Sequence, residues 1–162
     1  MVSRRLSREA GHRRKFLAVI DETPECERAV AYASRRAKTT NGVLVLLFVI
    51  DSADFQQFLG VEQIMRAEAE ERAHSTLSKF AASVRETINI ESELVVREGI
   101  TAEQIQKLIE EDQDIAILVL AAGSGKEGPG PLVQTLAGRE SFSIPVTVVP
   151  YNLSNEDIDA IT

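Results

Sequence analysis

The sequence predicts a doubly wound α/β domain, a five-stranded parallel sheet with helices on both faces. Three observations carry that prediction. From residue 15 onward, short apolar runs alternate with segments of helical period in the order β-α-β-α-β-α-β-α-β. Right-handed crossovers fold that order into a parallel sheet. Two of the runs, Val43–Ile50 and residues 115–122, are eight residues of unbroken apolar sequence, as a strand covered on both faces requires. The strand ends carry acids and glycines, and in such sheets a ligand cleft lies beyond the carboxyl ends of the strands, where the strand order reverses. That rule directs attention to Asp21, to Val49 and Asp51, to Glu98 and Gly99, and to residues 123–130.

Each element has its own warrant. Residues 15–21 are a short apolar run closed by an acid, a buried strand. A helix is expected over residues 23–40. Thr23 and Pro24 open it, Glu25 and Glu27 sit where the dipole favours acids, and Asn41-Gly42 stops it. Val43–Ile50 is the second strand. Residues 51–60 form a loop with one helical turn around residues 55–58. A long helix follows over residues 61–89, with Ala73, Leu77, Phe80, Val84 and Ile88 on one face. Residues 90–98 alternate apolar and polar, the pattern of a half-exposed strand near a sheet edge. Thr101-Ala-Glu-Gln104 is a capping-box pattern opening a helix to Glu111. Residues 115–122 read as the most buried strand. A glycine-rich stretch over 123–131, a short helix over 131–139 and a last strand over 144–149 complete the sheet. Ser154-Asn-Glu-Asp157 caps a small helix ending at Ile161.

Composition bounds the function. A chain of 162 residues, 44% hydrophobic and 27% charged, fits one globular domain. We divide it into a basic flexible tail over 1–14, an α/β domain over 15–150 and a tail with a short helix over 151–162. The single cysteine, Cys26, excludes a disulfide framework and a cysteine-based zinc finger. The apolar runs fall far short of the roughly 20 residues of a membrane span, and no apolar signal core follows the N-terminus, so a cytoplasmic protein is expected. Of 18 basic and 25 acidic side chains, six and one respectively lie in residues 1–15, leaving 12 against 24 in the rest. So acidic a body repels phosphate backbones, and no nucleic-acid or membrane partner is expected. The basic head reads as a short solvated tail before the first strand.

The most informative segment is Gly123-Ser-Gly-Lys-Glu-Gly-Pro-Gly-Pro131. Its glycines let backbone N–H groups approach a ligand, and it enters a helix whose N-terminus faces the same space. Gly123, Ser124, Gly125, Lys126, Gly128 and Gly130 are therefore candidate anion ligands, with Lys126 as a point charge. The alternative is a turn that only reverses the chain. The letters G-x-G-x-x-G occur at Gly123, Gly125 and Gly128, but a dinucleotide site needs them after the first strand and an acid at the end of the next. A P-loop fails as well, because Glu127 follows Gly125-Lys126.

Asp21 ends the first strand, where a carboxylate can accept from a ribose or base, bind a metal, or satisfy the N–H groups of the following helix. Asp21-Glu22 also looks like the acidic pair of a receiver domain, but the third strand ends in Arg97-Glu98-Gly99, without the aspartate that domain phosphorylates. Cys26 occupies a helix first turn, which lowers a thiol pKa, or is an inert small side chain. His12, His74 and Cys26 are too scattered for a triad or a metal site. No catalytic constellation is visible.

At this point the residues resemble the universal stress protein family. Phe16-Leu-Ala-Val-Ile-Asp-Glu-Thr-Pro-Glu-Cys-Glu-Arg-Ala-Val30 looks like its first strand, terminal Asp and helix start. Leu44-Val-Leu-Leu-Phe-Val-Ile-Asp51 is similar to its second strand, residues 114–125 to its fourth strand and glycine loop, and Ser143-Ile-Pro-Val-Thr-Val-Val-Pro150 to its closing strand. The resemblance covers residues 15–150. It implies an adenine-nucleotide alpha-hydrolase-like fold, homodimers, cytoplasmic stress roles and, in some members, adenine-nucleotide binding. Binding members carry G-x2-G-x9-G followed by Ser or Thr. Gly125, Gly128 and Gly138 match the glycines, Arg139 replaces the hydroxyl, and six residues separate Gly138 from Pro145. The alternative register starts the helix at Gly130-Pro131, with Pro at its first position.

Two functions are expected from this. One is binding of ATP or AMP, with Asp21 on the base or ribose, Val49 as an apolar wall and the glycine loop on the phosphates, Mg entering only with a triphosphate. The other is a homodimer that binds no nucleotide and acts through protein partners. An enzyme that hydrolyses or transfers an adenylyl group has only fold analogy behind it. Residues 144–149 are short and β-branched, with Pro145 at their start, which suits an edge. Self-pairing of Ile144 through Val149 across a two-fold axis would cover that edge and make the homodimer.

Overall fold

The computed structural model describes residues 4–55, 60–123 and 143–162. Along them run β1 (Lys15–Ile20), α1 (Cys26–Thr39), β2 (Val43–Ile50), a 3-10 turn (Ser52–Phe55), α2 (Glu62–Ile88), β3 (Ser92–Glu98), α3 (Thr101–Glu111), β4 (Ile115–Ala121), β5 (Val146–Val149) and α4 (Asn155–Ile161). The five strands form one sheet in the order β3-β2-β1-β4-β5, and every pairing is parallel. The predicted fold class is the observed one.

Alternation along the strands builds two cores. Phe16, Ala18 and Ile20 of β1 pack with Ala29 and Ala33 of α1, Leu77 of α2 and Ile158 of α4. Leu17 and Val19 turn the other way, against Ile105 and Ile109 of α3. Full burial of such a side chain contributes about 1.5–3 kcal/mol, and β1 is buried on both faces, which is why it reads as unbroken apolar sequence. β4 breaks the alternation once. Lys15 lies opposite Ile115 but Phe16 opposite Ile117, a one-residue bulge that lets Ile115 and Leu118 face the α3 layer together. β3 is an edge strand, as its mixed pattern predicted, and Leu94 is exposed on it.

Helix ends account for most of the differences from expectation. α1 begins at Cys26 rather than Thr23, because the Thr23 N–H and hydroxyl both donate to Asp21 Oδ1 and hold the chain in a turn. It ends as the sequence indicates, with Asn41 in the left-handed region (φ 54) and the Gly42 N–H donating to Ala37 O at 2.7 Å. Gly42 is required there, since a Cβ would stand 2.6 Å from Arg14 O. The capping box expected from Thr101 and Gln104 does not form. Thr101 is already helical, Ile100 is the N-cap without a side-chain bond, and the Gln104 amide instead lies over Gly99, whose φ is +145. The box at Ser154 and Asp157 does form, both of its hydrogen bonds measuring 3.0 Å.

A turn after β2 spans Ser52–Phe55, residues 56–58 of the expected turn lie outside the described residues, and the last strand shortens to Val146–Val149. The helix expected over 131–139 lies outside the described residues. Near the N-terminus, Arg5 Nη1 donates to Ile109 O (2.6 Å), Asp112 O (3.3 Å) and Ile115 O (3.2 Å). Arg13 reaches Asn41 O and Gly42 O, and His12 pairs with Asp114 at 2.7 Å. Among the described residues no helix is long and apolar enough to cross a membrane.

Candidate functional site

From β1 the chain proceeds outward to β2 and β3 on one side, while β4 and β5 lie on the other, so the strand order reverses beside β1. Next to that reversal, over the carboxyl ends of the adjacent strands β1 and β2, lies a cleft of about 700 Å³. Its floor comes from the ends of β1 and β2, through Ile20, Asp21, Phe48, Val49 and Asp51. One wall is a face of α2 bearing Met65, Glu68, Ala69 and Arg72, spaced as one helical stripe. Opposite stand Ile100, Thr101 and Ala102 at the start of α3.

The structure brings Asp21 and Val49 together in this cleft. Of the readings the sequence left open for Asp21, the structure shows the local one. Its Oδ1 accepts from the Thr23 N–H at 2.9 Å, which fixes the turn into α1. Its Oδ2 makes no hydrogen bond among the described residues, and the exposed Asp21 side chain is one of those that line the cleft. Val49 is half-buried and packs partly on the α3-side core, so its apolar surface is held in place. Gly123 follows β4 on the same edge of the sheet but is not among the cleft's lining residues. Ser124, Gly125, Lys126, Gly128 and Gly130 lie outside the described residues.

Sequence reasoning missed the α2 and α3 walls and Phe55. Phe55 is buried beneath Arg66, whose guanidinium stands 5.3 Å from the ring centroid. Both Glu98 oxygens accept from Arg66 Nε at 3.0 Å, and Glu62 accepts from Nη2 at 3.3 Å. The Glu98 hydrogen bond, ahead of the surrounding charge, raises the Arg66 pKa further above its ordinary value. The apolar positions 65 and 69 with charges at 68 and 72 were a legible stripe, but nothing local says which body it faces.

Of the two readings of Cys26, the structure selects the inert side chain. The thiol is 4% exposed and its pKa is pushed up to about 12, first by burial and then by the Asp21 carboxylate. The helix dipole does not prevail, and the S–H donates to Asp21 O at 3.4 Å. Cys26 is a core side chain, not a nucleophile. Among the described residues no group of three or more His, Cys, Asp or Glu side chains is arranged to hold a metal ion.

Comparison with known proteins finds a match to the model of the universal stress protein family over residues 12–150. None of the curated proteins matches the chain. Among solved structures, UspA from Lactobacillus plantarum is similar, with 16% identity over 84% of this chain and 97% of that one, at a TM-score of 0.71. A universal stress protein family member from Burkholderia pseudomallei shares 17% identity over 84% and 95%, at a TM-score of 0.66. A universal stress protein in complex with cAMP shares 17% identity over 86% and 98%, at a TM-score of 0.63.

Proposed function

The chain belongs to the universal stress protein family, and from that premise we propose that it binds an adenine nucleotide, ATP or AMP, in the cleft beside β1. The observation that carries the reading is the meeting of Asp21 and Val49 in one cleft at the carboxyl ends of β1 and β2. A flat base needs apolar walls, which Val49, Phe48 and Met65 offer. A ribose hydroxyl or the adenine amine needs an acceptor, which Asp21 Oδ2 supplies. In this reading Gly123, Ser124, Gly125, Lys126, Gly128 and Gly130 take the phosphates, and Mg accompanies only a triphosphate. The neighbour of the same fold solved with cAMP holds a ligand of the same class. The protein then acts as a cytoplasmic stress-response module, and no turnover is proposed.

Native mass spectrometry of gently purified protein, followed by calorimetry with ATP and AMP, tests this. Lys126→Ala is expected to weaken ATP binding about ten- to a hundredfold, the loss of one charge-assisted hydrogen bond. Asp21→Ala is expected to reduce the preference for ATP over inorganic triphosphate. Undetectable ATP and AMP binding at millimolar nucleotide overturns the reading.

A second reading, a homodimer acting through protein partners, is favoured by a different observation. β5 is an edge of the sheet and Val148 on it is 40% exposed. The two readings are compatible, because the cleft and β5 lie on different parts of the molecule.

A further inference from the structure

We infer that Arg66 is a positioning residue for the base: it ties the α2 wall of the cleft to the segment entering the α3 wall and fixes the space between them. The inference rests on the nucleotide reading and deepens it. The wall formed by Met65, Glu68, Ala69 and Arg72 lies on the first half of α2. That half has little of its own to hold it. The buried residues of α2 are Ala73, Leu77, Ala81 and Val84, all beyond the wall, and Val61 at the N-cap makes no side-chain hydrogen bond. Arg72 pairs with Glu22 at 3.1 Å, but both side chains are more than half exposed, and an ion pair so solvated is held weakly.

Arg66 supplies the missing hold. Glu98, at the end of β3, accepts from Arg66 Nε on both oxygens, and Arg66 Nη2 lies 3.0 Å from Glu98 Oε1. Two residues after Glu98 the chain reaches Ile100, where the opposite wall begins. One residue before Arg66 stands Met65, against which the base is seated. The same guanidinium stands over the ring of Phe55, a cleft residue from the turn after β2. Three segments that border the cleft are thus joined through one side chain, which does not itself line the cleft and acts through the walls. A planar fork with fixed donors holds position better than a flexible ammonium does. A base entering between walls already in place loses less to ordering them. The clamp therefore raises affinity for the base and leaves the phosphates, on residues 123–130, alone.

The test is calorimetry with adenosine, AMP and inorganic triphosphate on the unmutated chain, Arg66→Gln, Glu98→Gln and the double variant, together with amide hydrogen exchange. Arg66→Gln is expected to weaken adenosine and AMP alike, by about fivefold, and to leave triphosphate within about twofold. Glu98→Gln is expected to weaken adenosine about two- to threefold, and the double variant to be no weaker than Arg66→Gln, since the two residues act as one unit. Exchange over residues 62–72 is expected to quicken in Arg66→Gln while that of residues 77–84 holds. Adenosine binding unchanged in Arg66→Gln overturns the inference and leaves the nucleotide reading standing. Triphosphate weakened as much as adenosine would show general damage and overturn it too, as would losses that add in the double variant or unaltered exchange over residues 62–72. No binding of adenosine or AMP by the unmutated chain removes both the inference and the reading beneath it.

Discussion

Cys26 and Lys15 make the molecule sensitive to alkali by the same sign and for different reasons. The buried Cys26 thiol has its pKa lifted from an ordinary 9.0 to about 12. Between those values the unfolded chain loses the proton and the folded chain keeps it, so stability falls as pH rises, by up to about 1.4 kcal/mol per pH unit. For Lys15, burial works against the charge, but hydrogen bonds to Asp112 (2.8 Å) and Glu93 (3.0 Å) outweigh it and leave the pKa raised. Its contribution is complete below about pH 10.4 and is lost as pH climbs through the folded value. Urea midpoints should therefore decline from about pH 9 upward. Cys26→Ala should flatten the portion between about pH 9 and 10, before Lys15 enters. An unchanged slope in that variant would assign the decline to another group.

At the scale of the element, helix ends show where local chemistry suffices. Asn89 closes α2 in the left-handed region, φ 60, and its N–H donates to Val84 O and Arg85 O. Asn89→Ala should destabilise the fold by roughly 1 kcal/mol, while Asn89→Gly should be near neutral, because only the Cβ opposes that conformation. Chemical denaturation of the two variants checks the difference, and equal losses would point to the side chain instead. Asn41-Gly42 and Ser154-Asn-Glu-Asp157 behave as their residues indicate because the hydrogen bonds that close or open the helix there span at most five positions. Thr23 and Thr101 do not. Thr23 is drawn away by Asp21, and Gly99 gives the Gln104 amide a space that no capping pattern reveals.

Across the whole molecule, the strand order leaves β3 and β5 as edges. They are defended unequally. β3 carries Glu93, Arg97 and Glu98, charges that discourage pairing, whereas β5 is Val-Thr-Val-Val. Val148→Lys should shift the protein towards monomer in light scattering at micromolar concentration. An unmutated chain already monomeric there would refute pairing through β5.

The sequence by itself determined the fold class, the strands within a residue or two and the two strand-end positions, Asp21 and Val49, that meet in the cleft. It could do so because burial on both faces imposes continuous apolar runs and because a βαβ order admits one handedness. The register bulge in β4, the inertness of Cys26 and the Arg72 and Glu22 pair were decided by tertiary structure alone. Each depends on which surfaces meet. Cys26 is protonated because α1 is pressed against the sheet beside Asp21. Arg72 belongs to the cleft because α2 lays its polar stripe over the ends of strands more than twenty positions away in sequence, a distance that residue spacing does not encode.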